Sequence, residues 1–254
     1  MTVSYQGHEY KLLMFDLDDT LAPSKSPMSD EMAGVFRTLL SQSLGCIISG
    51  GNYQQFKMQV VERLGKFDDI GNLHLMPTNG TQYVTWTGDE WQTVYAENLT
   101  QDQKDQAFEV LETGARELGL WSEQTWGPIL EDRGSQVTFS ALGQSAPVDA
   151  KSAWDPTGTK KESLRSYAAE RLPELEVRSG GSTSVDITRK GIDKAYGASK
   201  LMEILDLKVS DILFFGDRLD EGGNDRPVAE LGIESIHVTG YEDTYSRLSL
   251  ILGI

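Results

Sequence analysis

Short apolar runs that stop on small or acidic residues recur near both ends of the chain. The segment Tyr10–Phe15 runs into Asp16, Gly45–Ile48 into Ser49, and Asp211–Phe215 into Gly216 and Asp217. Runs without polar alternation are what a strand buried on both faces requires, as in a parallel sheet. Between these runs the apolar period lengthens to that of a helix. Ser29 is placed to cap a helix carrying Met32, Val35, Phe36, Leu39 and Leu40 on one face. Phe56, Val60 and Leu64 mark a second helix, and Ala195, Ala198, Leu201, Met202 and Leu205 a third. A short helix over 228–231, a strand over 235–238 and a last helix follow. Strand alternating with helix predicts an α/β fold with a doubly wound parallel sheet, Rossmann-like in layout.

The rhythm changes in the middle. Val84–Val94 reads as a hairpin turning at Gly88-Asp89. Thr100 with Gln103, and Thr159 with Glu162, have the spacing of capping boxes, and Pro173 ends the second helix. Gln136–Ser140 alternates like a strand with one face covered. All five tryptophans (Trp86, Trp91, Trp121, Trp126, Trp154) fall in this stretch, and cap core is their expected place. The pattern predicts an α+β unit over residues 84–183, inserted into an α/β domain built from 1–83 and 184–254. An insert of roughly 100 residues is an ordinary domain size.

Charge narrows the function. The 254 residues carry 23 Lys plus Arg against 39 Asp plus Glu, a formal net charge of -16. Such a field repels nucleic-acid backbones and anionic lipid, so neither is expected as a partner. An anionic substrate would need a local cation, and a metal ion is the simplest. A single cysteine rules out an intramolecular disulfide and suits a reducing cytosol, so a cytoplasmic location is expected. No apolar run approaches the length of a membrane span, and no basic-then-apolar leader opens the chain. His8, His74 and His237 are scattered without ligand spacing, and Cys46 reads as an inert core thiol.

In open α/β sheets ligands bind beyond the carboxyl ends of the strands. Asp16 and Asp18, then Ser49, then Asp217 end three of the apolar runs, so they are expected to meet there. Carboxylates gathered at one crevice make a hard-oxygen site of the kind Mg²⁺ takes. In Asp16-Leu17-Asp18-Asp19-Thr20, a strand continuing through Asp18 would point both acids the same way, with Leu17 opposite. Asp16 is then an aspartyl nucleophile that can accept a phosphoryl group. Asp18 would protonate the leaving oxygen and later deprotonate the incoming one. The stretch Phe214–Asp225 adds a second acidic loop. Asp217 is its best metal ligand, Asp225 a further candidate, and Asp220 and Glu221 read as solvated charges. Ser49, before two glycines, suits phosphate oxygens. Lys194 would supply fixed positive charge, with Arg189 and Lys190 competing for that role.

Together DLDDT, the strand ending at Ser49, GIDK and GDRLDEGGND resemble the haloacid dehalogenase-like phosphotransferase superfamily, in the branch with a large inserted cap. Within it, TNGTQY, DRGSQVTFSALG, GGSTSVDI and GGND are similar to the phosphomannomutase-like proteins. The resemblance spans nearly the whole chain. It implies Asp16 as nucleophile, Asp18 as general acid/base, and Mg²⁺ held by Asp16, the Asp18 carbonyl and Asp217, with Asp225 nearby. It implies that Ser49 and Lys194 hold the transferring phosphate. It points to Asn79, Arg133, Gln144, Lys151, Ser182, Ser184 and Asp186 as substrate contacts, and it allows a homodimer.

The departures carry information. Arg133 matches one of the arginines with which the mutases hold a distal phosphate, but Gln144 and Lys151 stand where two others are expected. Ser24 falls where another Arg usually follows the nucleophile loop, with Lys25 beside it. A lysine cannot make the planar two-pronged contact of arginine. The turn after the second strand reads Ser-Gly-Gly-Asn instead of Gly-Gly-Ser, which makes Asn52 an alternative to Ser49. Asp19 replaces the commoner glycine. A mutase needs a strong distal clamp and exclusion of water. The expectation is therefore a Mg²⁺-dependent phosphohydrolase acting on a small phosphate monoester, a phosphosugar, through an aspartyl phosphate. A phosphomannomutase-type mutase is the alternative. A non-catalytic phosphosugar-binding protein is the remote one, disfavoured because Asp16, Asp18 and Asp217 are all retained.

Overall fold

The computed structural model describes all 254 residues, the side chain of Val148 excepted. The chain divides into two units, Met1–Ala96 with Asp193–Ile254, and Glu97–Ile192. In chain order the first holds the hairpin β1 (Val3–Tyr5) and β2 (His8–Tyr10), then β3 (Leu12–Phe15), α1 (Asp30–Leu40) and β4 (Leu44–Ile48). Next come α2 (Tyr53–Phe56), a π-helical turn (Lys57–Val61), α3 (Glu62–Leu64), β5 (Leu73–Met76), the kinked turn α4 (Pro77–Gly80), β6 (Gln82–Trp86) and β7 (Trp91–Ala96). The second unit holds α5 (Gln101–Glu117), β8 (Leu130–Asp132), β9 (Gln136–Ser140), α6 (Val148–Trp154), α7 (Thr159–Arg171), β10 (Leu175–Ser179) and β11 (Ser184–Arg189). The first unit resumes with α8 (Lys194–Leu205), β12 (Ile212–Gly216), α9 (Arg226–Glu230), β13 (Glu234–His237) and α10 (Tyr241–Leu252).

The main sheet has the order β13-β12-β3-β4-β5-β6-β7. From β13 to β5 the strands run parallel, whereas β6 and β7 add antiparallel strands at one edge. The sheet is thus mixed, not wholly parallel. Its uninterrupted apolar runs have a simple cause. Leu13 and Phe15 of β3 face one way and join Phe36 and Leu39 of α1, while Leu12 and Met14 face the other way and join Ala198 and Leu201 of α8. Successive strand residues point to opposite faces, so a sheet covered on both sides needs apolar residues at every position. Phe15 stacks on Phe215 of the neighbouring strand at 4.9 Å between ring centres.

The second unit is a four-stranded antiparallel sheet, β10-β11-β9-β8. Val137, Phe139, Val185 and Ile187 pack with Leu111 of α5 and Leu164 of α7 on one face. The residues between them, such as Thr138 and Asp186, belong to the other face.

Two expected boundaries move. The hairpin at Gly88-Asp89 exists, but β6 pairs with β5 and so belongs to the main sheet, along with Trp86 and Trp91. Ser184–Arg189 pairs with β9 and β10 and so belongs to the second unit. The reason was in the pattern: Val185 and Ile187 alternate with polar neighbours, which suits a sheet covered on one face only. Capping also splits. Ser29 accepts from Met32 N–H at 3.1 Å, and the Thr100–Gln103 box closes as expected. At α7, however, Gly158 is the cap residue and Glu162 pairs with Arg165. The first turn is instead satisfied by Asp155, which accepts from the Lys160 and Lys161 N–H groups at 3.2 and 2.9 Å.

His74 sits in β5 with its Nδ1 2.8 Å from the Tyr83 hydroxyl, and burial lowers its pKa to about 4. Above pH 6.5 the imidazole is neutral in both folded and unfolded chains. As pH falls through 6.5 only the unfolded chain takes up the proton, so stability declines until about pH 4. The expected loss is about 2 kcal/mol by pH 5. Urea unfolding at pH 7.5 and pH 5 measures it, and a His74→Phe variant showing the same decrement would remove His74 as its source.

Candidate active site

β3 is the middle one of the five parallel strands of the main sheet. Its connection through α1 leads to β4 on one side, and β12 lies on the other. That reversal of strand order is where open α/β sheets leave a crevice at the carboxyl ends. Asp16 is the first residue past β3, and its N–H donates to the Phe215 carbonyl at 2.9 Å. Asp217 follows β12 directly. Lys194 is the first residue of α8, whose N-cap is Asp193. Gly197, one turn on, lies so close to β4 that a Cβ there would be 2.6 Å from Ile48 Cδ1 and 2.7 Å from the Asn79 carbonyl. That contact seats the start of the helix.

The Lys194 ammonium donates to Asp16 Oδ1, and to Asp225 Oδ1 at 2.5 Å. Asp225 Oδ2 accepts from the Arg218 N–H at 3.0 Å. Lys194 and Asp225 are 1% and 0% exposed, and Asp16 is buried beside them. Gly216 makes room: a Cβ there would stand 2.5 Å from Asp225 Oδ2. The Thr20 hydroxyl is 3.5 Å from both Asp16 Oδ2 and Asp217 Oδ1. One oxygen from each of Asp16, Asp217 and Asp225 lies within 4.8 Å of the others. Opposite ligands of an octahedral Mg²⁺ stand about 4.2 Å apart, so this all-oxygen set fits a small hard cation after slight movement.

Burial pushes the Asp16 carboxyl well up, and the Asp225 and Asp217 charges add to it against the Lys194 ammonium. Asp217 is raised by its own partial burial and by Asp225, again opposed by Lys194. For Lys194, burial alone would lower the pKa, but the Asp16 and Asp225 carboxylates outweigh it and the net shift is upward. The ammonium therefore stays charged. Arg189 donates to the Glu97 carbonyl and carboxylate at 2.8 and 3.2 Å, and Lys190 is exposed. Of the three candidate cations, the one against Asp16 is Lys194.

Asp18 departs from expectation. β3 ends at Phe15, and residues 17–22 form a turn in which the Leu17 carbonyl accepts from Leu21 and Ala22. The two acids are therefore not on one continuing strand. The half-buried Asp18 carboxylate accepts from Gln55 Nε2 at 3.0 Å, Gln59 Nε2 at 3.1 Å and Lys25 N–H at 2.8 Å. It contributes no oxygen to the acidic cluster. Asp19 has φ 60°, which accounts for glycine being commoner there, since glycine reaches that region without steric cost. Here the Asp19 carboxylate offsets part of that cost by accepting from the Ser24 N–H at 3.1 Å.

Ser49 is buried at the end of β4, beside β3, and its hydroxyl accepts from the Gly51 N–H at 3.3 Å. Asn52 caps α2 by accepting from the Gln55 N–H at 3.0 Å, which commits its side-chain oxygen. Asn79 lies in α4 at φ 55°, its N–H donating to the Ser49 carbonyl at 2.9 Å. Asp220 is exposed and paired with Arg218, and Glu221 is exposed.

The remaining candidates lie in the second unit. Arg133, little exposed, donates to Glu131 Oε2 through Nε at 3.0 Å and through its terminal nitrogen at 2.9 Å. Gln144 donates to the Ser140 hydroxyl at 2.7 Å, and Lys151 to the Gln144 carbonyl at 2.9 Å. Asp186 accepts from Thr138 at 2.7 Å, Ser184 is half-buried and Ser182 exposed. The sequence gives Thr20 only as the last residue of DLDDT and does not single out Gln55, Gln59 or Glu131. Gln59 alone left a trace: it falls on the apolar helix face of Phe56 and Val60, where a polar residue is out of place.

The model of one protein family, haloacid dehalogenase-like hydrolase, matches residues 13–138 and 148–226. Phosphomannomutase 1 of Mus musculus is 27% identical over 241 residues, covering 89% of this chain and 86% of its own. Phosphomannomutase of Encephalitozoon cuniculi is 24% identical over 250 residues, covering 96% and 94%. Among solved structures, a haloacid dehalogenase-like hydrolase from Bacteroides thetaiotaomicron superposes with a TM-score of 0.65 at 17% identity, covering 95% of this chain and 99% of its own. That likeness is one of fold.

Proposed function

The chain belongs to the haloacid dehalogenase-like hydrolases, and from that membership we propose that it is a Mg²⁺-dependent phosphohydrolase of small phosphosugars, working through an aspartyl phosphate on Asp16. The observation that carries this reading is the buried Asp16 carboxylate against Lys194, with Asp217 and Asp225 beside it. An Asp16 oxygen attacks phosphorus and the ester P–O bond breaks, while Asp18 hands its proton to the departing sugar oxygen. Water then loses a proton to the Asp18 carboxylate and attacks phosphorus, breaking the Asp16–phosphorus bond and releasing phosphate. Lys194 and the Ser49 hydroxyl hold the phosphoryl oxygens, and Thr20 keeps Asp16 and Asp217 in place. Asp16, Asp217 and the Asp18 carbonyl would hold Mg²⁺, with Asp225 behind them. When bound, the ion would supply Lewis acidity to the phosphoryl oxygens and would offset the crowded carboxylates.

The second unit is the specificity cap. Hydrolysis is favoured over the mutase reaction because its cations are engaged within the unit. Arg133 is fixed on Glu131 and Lys151 on the Gln144 carbonyl. A clamp for a second phosphate would require those groups to turn outward. The mutase remains the second reading, since phosphomannomutases align with the chain over most of its length.

Incubation with α-glucose 1-phosphate or α-mannose 1-phosphate and Mg²⁺ decides between the two. Phosphate release without a sugar bisphosphate, abolished by chelation, is the expected result. Conversion to the 6-phosphate that depends on the bisphosphate would replace hydrolase with mutase.

A further inference from the structure

Gln55 and Gln59, four residues apart around a π-helical turn, donate to opposite oxygens of Asp18: Gln55 to Oδ2 at 3.0 Å, Gln59 to Oδ1 at 3.1 Å. π turns recur at functional sites. The Lys25 N–H supplies a second donor to Oδ1 at 2.8 Å. Gln59 also ties down the loop beyond. Its amide donates to the Ser26 carbonyl at 2.8 Å, and its backbone carbonyl accepts from the Met28 N–H at 2.8 Å.

Gln59 is fully buried, and its Oε1 has no hydrogen-bond partner among the described residues. Turning the amide over would aim that oxygen at two acceptors, Asp18 and Ser26, and strand the nitrogen instead, so its orientation is determined. A buried unpaired amide oxygen is destabilising, because it has given up its water without a replacement partner. A methionine of similar length would avoid that cost, but it would give up the bonds to Asp18 and to the Ser26 carbonyl. What the glutamine provides is direction. Two donors fill the lone pairs of Asp18 Oδ1, and Gln55 takes one on Oδ2, which leaves one Oδ2 lone pair to carry a transferable proton.

We infer that Gln59, with Gln55, is a positioning residue that holds Asp18 so that Oδ2 performs the proton transfers. This rests on the phosphohydrolase reading above. Loosening Asp18 should slow the steps that need proton transfer and spare those that do not. p-Nitrophenolate leaves without an acid, whereas a sugar alkoxide does not, and the aspartyl phosphate that both substrates form needs a base for hydrolysis.

Gln59→Met tests the inference. With p-nitrophenyl phosphate the variant should release its first equivalent of p-nitrophenolate at the parent rate. Its steady-state rate should then fall roughly 10- to 100-fold, within the usual reach of general acid–base catalysis. With the sugar phosphate, kcat should fall comparably without a burst, and KM should stay within about twofold. An unchanged kcat, a loss carried by KM alone, or a first turnover slowed as much as the later ones would overturn the assignment. If Gln59→Met does not fold, Gln55→Met, which touches only Oδ2, is judged by the same criteria. Absence of phosphate release from the parent protein would remove the hydrolase reading itself, whereas parent release with an unaffected variant removes only the role of Gln59.

Discussion

Asp16→Asn should lower turnover by roughly 10⁴- to 10⁶-fold, the scale on which loss of a nucleophile is felt in covalent catalysis. Asparagine keeps the shape of the side chain but cannot attack phosphorus. The fold should tolerate the change for two reasons. Asp16 lies in a buried site that already disfavours its charge. Lys194 also keeps its second partner, Asp225, at 2.5 Å, so its ammonium is not orphaned. Phosphate release and thermal unfolding, measured on the same sample, check both halves. Retention of more than roughly a few per cent of parent turnover would remove Asp16 as the covalent site.

Lys194→Met should behave in the opposite way with respect to the fold. It removes the only described cation between Asp16 and Asp225 and leaves two buried carboxylates facing each other, with Asp217 close by. Breaking a buried ion pair from one side typically costs about 3–5 kcal/mol, because the abandoned charge stays desolvated. A loss of that size is expected in the urea midpoint of the metal-free protein, together with loss of turnover. Stability equal to the parent would mean that the acids are solvated in solution and that the site is more open than the buried geometry implies. The expected contrast separates the two residues: Asp16→Asn should cost chemistry and spare folding, whereas Lys194→Met should cost both.

Much of this was legible in one dimension because the parallel sheet writes itself strongly. Leu12–Phe15, Cys46–Ile48 and Ile212–Phe215 are buried on both faces, so each is an unbroken apolar word, and the polar residue that ends each word marks the crevice. The family model confirmed the superfamily read from those motifs. Asp16 and Asp217 could be expected at one crevice for that reason, whereas Lys194, which opens a helix, was one of three candidate cations. The unit boundaries could be read less well. β6 and β7 and then β11 are amphipathic strands, and amphipathic strands do not say which sheet they join. Backbone pairing decided it, through β5 for the first two and β9 for the third.

The chain by itself determined which chemistry is available: acids at strand ends, a lysine opening a helix, and a strongly negative net charge. Only the tertiary structure decided how those groups are held. It tied Asp18 to Gln55 and Gln59, residues 37 and 41 positions away. It chose Lys194 over Arg189 and bound Arg133 to Glu131. The physical reason is that apolar period and strand-end position are local properties of the sequence. A hydrogen bond between distant side chains depends on where packing brings two backbones together, and a lone glutamine or arginine gives no sign of that.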